Sequence, residues 1–122
     1  MRPIWLAVWL LTSLRAFAAS TAPDAPPSGL EAYGNEPGWN LQLAGDKARL
    51  VADYGQRIIE WQVRDMQGDP DTGRLIWTGE GMEVIVDPGP CTDSMSGERF
   101  ERQVRVIGRG LELSGCGNLR AP

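Results

Sequence analysis

The chain has 122 residues, with 12 Lys and Arg against 16 Asp and Glu, for a net charge of −4. That balance argues against nucleic acid or an anionic membrane surface as partner, because both call for clustered Lys and Arg. There is no histidine, so the usual general base at neutral pH is missing, and the length suits a single domain with a real core.

The first 18 residues have the three parts of a secretory signal. Arg2 supplies the positive start, Ile4 to Leu14 the apolar stretch, and Ala16-Phe17-Ala18 the small residues that a signal peptidase reads. A membrane span needs roughly 20 apolar residues. Arg15 and the polar Ser20–Asp24 run interrupt this one too early, so cleavage after Ala18 is expected and no stable span after it. Cleavage removes Arg2 and Arg15 but no acid, which takes the net charge from −4 to −6. A periplasmic or secreted protein of that charge is drawn toward basic partners. Ala19 to Gly29 is rich in Pro, Ala and Ser without apolar periodicity, and reads as a flexible or extended linker. The folded domain is expected over residues 30–122.

Alternation with period two dominates this domain. Trp39, Leu41 and Leu43 alternate with Asn40 and Gln42, and after a turn at Gly45-Asp46 come Ala48, Leu50 and Ala52. Ile59, Trp61 and Val63 form the next stripe, then Leu75–Thr78 and Met82–Val86 around Gly79-Glu80-Gly81. Phe100, Val104 and Val106 share a face, and Gly108-Arg109-Gly110 turns into Leu111 and Leu113. About seven strands joined by short Gly-rich turns imply antiparallel neighbours. The fold class is therefore all-β, a small antiparallel barrel or sandwich, with an open curled sheet as the alternative. Trp39, Trp61 and Trp77 fall on strands and are expected in the core. Residues 65–74 hold three Asp but lack the regular oxygen ligands and closing Glu of a calcium loop, so a solvated hairpin connection is expected there and no metal.

Two segments stand out as candidate sites. Tyr33-Gly34-Asn35-Glu36-Pro37-Gly38-Trp39 opens a strand, with Pro37 unable to donate a ladder hydrogen bond. Within it Glu36 either accepts backbone N–H groups to close the barrel end or, with Trp39, lines a ligand site. The second segment, Gly89 to Phe100, is a polar loop carrying Asp93, Ser94, Ser96 and Arg99. It is either a recognition element or a tight connection in which Asp93 and Ser94 satisfy turn N–H groups.

In an exported chain Cys91 and Cys116 read as one disulfide, since a two-cysteine metal site would lack its usual histidine partners. With both thiols committed, no thiolate nucleophile remains. No phosphate-binding glycine loop follows a strand and opens a helix, and no cofactor is implied. A non-enzymatic domain is expected.

The segments Gly34-Asn35-Glu36-Pro37-Gly38-Trp39 and Cys91-Thr92-Asp93-Ser94-Met95-Ser96, with Phe100 and a final Gly115-Cys116, resemble a family of small bacterial exported proteins and lipoproteins of unknown function. Gly38 stands where many members carry Phe, and Phe100 where Tyr is common. The lipid-attachment cysteine of many relatives is missing. The resemblance implies a periplasmic β domain and supplies no activity. Ser96-Gly97-Glu98-Arg99-Phe100 is also similar to the Ser-Gly-x-x-Tyr loop that bacterial inhibitors of c-type lysozyme insert into the lysozyme cleft. That likeness implies a basic envelope or host protein such as lysozyme as partner, met by Ser96 and Arg99. Three functions are expected as alternatives: an envelope-binding domain, a lysozyme inhibitor acting through Ser96–Phe100, and a small-molecule carrier at a barrel mouth near Glu36 and Trp39.

Overall fold

The computed structural model describes residues 25–122; the expected signal at residues 1–18 and the first part of the linker lie outside them. The chain is all-β. Nine strands run in order: β1 (Gly29–Gly34), β2 (Trp39–Ala44), β3 (Lys47–Ala52), β4 (Arg57–Gln62), β5 (Asp65–Gly68), β6 (Leu75–Gly79), β7 (Met82–Thr92), β8 (Arg99–Gly108) and β9 (Leu111–Arg120). A short 3-10 turn, Asp53–Gly55, separates β3 from β4.

All nine belong to one antiparallel sheet, ordered β4-β3-β2-β1-β9-β8-β7-β6-β5, which curls into a half-barrel. The first and last strands pair in the middle, Leu30 opposite Leu119 and Tyr33 opposite Cys116. The two edge strands, β4 and β5, are joined by Val63 and Arg64 alone. At that step Val63 N–H donates to Asp46 O at 2.7 Å and Arg64 N–H to Thr78 O at 2.8 Å. One bent stretch of chain thus touches both limits of the sheet, pairing with β3 before the bend and with β6 after it.

The alternating stripes fill the concave side. Leu30, Leu41, Leu43, Leu50, Val84, Val86, Val104 and Val106 are fully buried, and Trp39, Trp61 and Trp77 join them in one cluster. Each fully buried Leu or Val stabilises the fold by about 1.5–3 kcal/mol relative to exposure. These side chains occupy the interior where a carrier's cavity would lie. Trp61 Nε1 is buried there without a hydrogen-bond partner among the described residues.

The strand count is nine, against the seven expected. The two additions are β1 and β5, and both owe their conformation to neighbours more than to their own pattern. Leu30 and Ala32 of β1 are buried, but glycines bound the segment, and ladders to β2 and β9 on either side impose the strand. Only Met66 of β5 packs against the core, so its alternation is almost invisible. It lies inside the 65–74 run and pairs with β6 from Asp65↔Thr78 to Gly68↔Leu75. The rest of that run is the hairpin turn, closed by Asp69 N–H to Arg74 O at 2.8 Å.

Candidate functional site

Three connections meet at one end of the half-barrel: the β1–β2 turn at Asn35–Gly38, the Asp53–Gly55 turn, and the loop 93–98 between β7 and β8. Together they bound a cleft of about 670 Å³, within the size range of small-ligand sites. Tyr33, Trp39, Tyr54 and Phe100 supply its aromatic walls, and Asn35, Asn40, Asp93, Ser96 and Glu98 its polar groups.

Trp39 sits at the floor, 5% exposed, with Nε1 donating to Ser114 O at 3.3 Å. Its ring lies where side chains at two glycines would be: a Cβ on Gly34 would stand 1.9 Å from Trp39 Nε1, and one on Gly115 2.8 Å from Cζ2. Tyr54 forms one wall. Its N–H donates to Gly38 O at 3.1 Å and its ring lies against Gly38, where a Cβ would come within 2.9 Å of Cδ1. Tyr54 and its neighbour Asp53 both hold positive φ, at 56° and 50°. That is an uncommon conformation for a bulky aromatic, and such residues concentrate at functional sites.

The loop 93–98 is built around one carboxylate. Asp93 accepts from Ser96 Oγ at 2.6 Å, Ser96 N–H at 3.3 Å, Met95 N–H at 3.4 Å, and Asn35 Nδ2 across the gap between two turns. Glu98 N–H donates to Ser96 Oγ at 3.1 Å, and Asp93 N–H to Glu98 O at 2.8 Å. The Ser96 hydroxyl, with the Met95 and Ser96 N–H groups and Asn35 assisting, holds the Asp93 carboxyl below the ordinary aspartate range against a smaller opposing effect of desolvation. Asp93 therefore stays an anion.

Cys91, two residues before this loop, is bonded to Cys116 on β9 with Cα atoms 5.5 Å apart. Just before the bond the β7–β8 ladder shifts register between Pro88 and Cys91, where prolines remove ladder donors, and it resumes at Cys91↔Phe100 and Thr92↔Arg99. On the other side of the Asn35–Asp93 contact lies a second depression of about 360 Å³, lined by Ser94, Cys91 and Cys116; Tyr33, Gly34, Asn35 and Asp93 border both.

Of the residues singled out in the sequence, Trp39, Asp93 and Ser96 converge on the first cleft, and Ser94 lines the second. Glu36 and Arg99 border neither. Glu36 is exposed at a turn tip, with no hydrogen bond among the described residues, and Arg99 points outward where β8 opens opposite Thr92. Within the Ser96–Phe100 segment, the serine hydroxyl is held inside the loop, while Phe100 is 8% exposed with its ring centre 6.0 Å from that of Tyr33.

Tyr33 and Glu98 lie within the two segments singled out in the sequence without being named there as binding residues, and sequence inspection missed Tyr54 altogether. Tyr54 carried one usable signal, a large aromatic placed in the polar turn Asp53-Tyr54-Gly55. The exposed apolar residues gather at the same end. Among the described residues the large ones are Tyr33 (46% exposed), Tyr54 (77%), Ile58 (54%) and Met95 (73%). Tyr33 and Ile58 end a cross-strand row, Tyr33–Asn40–Val51–Ile58, that runs from β1 to β4. Tyr33, Asn40 and Val51 of that row also line the cleft together with Tyr54, and Met95 is in the loop 93–98 that forms the opposite wall.

No family model matches the chain, and no curated protein or solved structure is detectably similar to it. Function therefore rests on the site itself.

Proposed function

We propose that this chain is an exported, non-enzymatic β domain that binds a ligand or protein of the cell envelope through the Tyr33–Tyr54 cleft. The observation that carries this is the placement of the exposed large apolar side chains. Scattered singly they would need no explanation, but a group around one concave end is the mark of an interaction surface. Support also comes from the filled interior, which leaves the rim as the place for a ligand. The loop forming one wall is tied down by the Cys91–Cys116 bond and by Asp93, so little ordering cost remains for binding. The signal-like first 18 residues and the resemblance to exported bacterial proteins support a ligand in the periplasm or outside the cell.

A photoreactive benzoylphenylalanine at position 54, compared with one at 112 on β9, tests the proposal. With the exported protein in its envelope fraction, illumination is expected to give a discrete adduct from position 54 and none from position 112. Adducts absent from 54, or equal at both positions, overturn it.

A further inference from the structure

We propose that the occupant of the cleft is a basic peptide segment of a partner protein, with a Lys or Arg side chain held against Tyr33 and Tyr54 beside Asp93 and Glu98. This rests on the cleft being a binding site and names the chemistry that it selects.

The charge of the lining is one-sided. Asp93 and Glu98 contribute carboxylates, and no Lys or Arg is among the lining residues; Arg57 and Arg99 stand nearby without entering it. The two acids have different parts. Asp93 spends its oxygens on Ser96, Met95 and Asn35, so it offers a fixed negative field and no free acceptor. Glu98 is exposed, and its carboxylate takes no hydrogen bond or ion pair among the described residues, so it is free to meet a cation directly. Beside them stand two tyrosines with much of their surface open, and aromatic faces attract ammonium and guanidinium groups through the ring quadrupole. A neutral apolar ligand would use the rings and strand the carboxylates in a drier setting; an anion would be repelled.

A peptide suits the surface better than a small amine because the cross-strand row, apolar except for Asn40, extends beyond the cleft. From Tyr33 through Asn40 and Val51 to Ile58 it crosses four strands. At about 4.8 Å per strand spacing that is roughly 14 Å, the length of about four extended residues. A single ammonium group has no use for Ile58 at the far end. The net charge of −6 expected after cleavage at Ala18 would hasten the approach of such a segment.

Binding of fluorescein-labelled hexalysine to the exported protein, followed by anisotropy at fixed salt, tests this. Glu98→Gln is expected to weaken binding about fivefold, and Glu112→Gln, on β9, less than about twofold. Tyr54→Leu is expected to cost about threefold, with Tyr54→Phe near the parent because the ring face is kept. Equal losses from Glu98→Gln and Glu112→Gln would reduce the effect to net charge and overturn the inference, as would labelled hexaglutamate binding as well as hexalysine. Lysine amide binding as tightly as hexalysine would replace the peptide by a free amine, which also overturns it. If hexalysine fails to bind while position 54 still crosslinks in the envelope, the cationic occupant is wrong and the cleft's binding role stands. If both fail, both fall.

Discussion

The two ends of the half-barrel solve opposite problems. At one end the Gly45-Asp46, Glu80-Gly81 and Arg109-Gly110 turns are bound to each other through Gln62 and Glu80. Glu80 lies 3.7 Å from Arg64 and 3.8 Å from Arg109, accepts from Gln62 N–H at 3.2 Å, and its backbone oxygen takes two further bonds from Arg109. Gln62 in turn donates to Asp46 at 3.1 Å. At the other end Glu36 and Glu98 have no ion pair among the described residues, and Tyr33, Tyr54, Ile58 and Met95 face water. The contrast separates an end whose charged groups answer one another, where the edges of the sheet meet, from an end where Glu98, Tyr33 and Tyr54 stand open to solvent.

The largest way to break the contrast is to cut the tie that holds the free end in shape. The Cys91–Cys116 bond closes a loop with a sequence separation of 25, and in the chain-entropy model its loss costs about 3 kcal/mol. Replacing both cysteines by serine is expected to lower the urea midpoint accordingly, while adding reductant to the parent gives a matching loss. An unchanged midpoint would mean that the bond carries no stability and that the loop is held by Asp93 alone.

Next in size is Gly115→Ala, which attacks the floor of the cleft. A Cβ there would stand 2.0 Å from the Tyr33 backbone oxygen and 2.8 Å from Trp39 Cζ2, so the β1–β9 pairing and the Trp39 ring must both give way. Overpacking of this kind costs about 2–3 kcal/mol. Trp39 is expected to gain solvent exposure, read as a red shift of tryptophan emission beside the drop in thermal midpoint.

A matched pair of carboxylate variants sharpens the comparison at smaller scale. Glu80→Gln keeps the side-chain size but removes the charge that two arginines share, and should cost about 1 kcal/mol by denaturant titration. Glu98→Gln removes a carboxylate without an ion partner and should stay within about 0.5 kcal/mol of the parent. If Glu98→Gln proved the more destabilising, the cleft end would be structural after all.

Much of this was legible in the residues, and the gaps have physical causes. Stripes such as Trp39-Leu41-Leu43 and Ala48-Leu50-Ala52 announced their buried faces because every second residue is apolar, and all six are buried. β1 and β5 were not legible, because Ala32, Gly34 and Gly68 contribute little pattern and the ladders of neighbouring strands decide their conformation. The two site segments were visible as unusual composition, and the disulfide as a pair of cysteines in a chain with a signal-like start. Their union was not, since Asn35 and Asp93 lie 58 residues apart and meet only after the sheet has curled. Glu36 attracted notice as a carboxylate beside a tryptophan, yet the turn carries it to the tip and leaves Tyr54, from a third segment, to form the wall.

The smallest effect is local to the loop 93–98 and depends on pH. The Asp93 carboxyl is held below its ordinary range first by the Ser96 hydroxyl, then by N–H donors that desolvation only partly offsets. A carboxyl lowered in the folded state contributes stability that is full above its unfolded value and is lost as pH falls through the folded one. Amide exchange protection at Ser96 and Glu98 is therefore expected to hold steady from neutral pH down to the ordinary aspartate range, after correction for intrinsic exchange, and to fall below it. Asp69 follows the same sign, its carboxyl lowered chiefly by the Asp71 N–H in the turn between β5 and β6, so acid alone does not single out the cleft. Ser96→Ala does, because it removes the leading cause at Asp93 and touches nothing at Asp69. In that variant Glu98 N–H loses its acceptor at every pH, so the readout is the amide of residue 96, which still faces Asp93. Its loss of protection should begin at higher pH and leave the Asp69 turn where it was; a shift of both turns together, or of neither, would show that the Ser96 hydroxyl does not hold the loop.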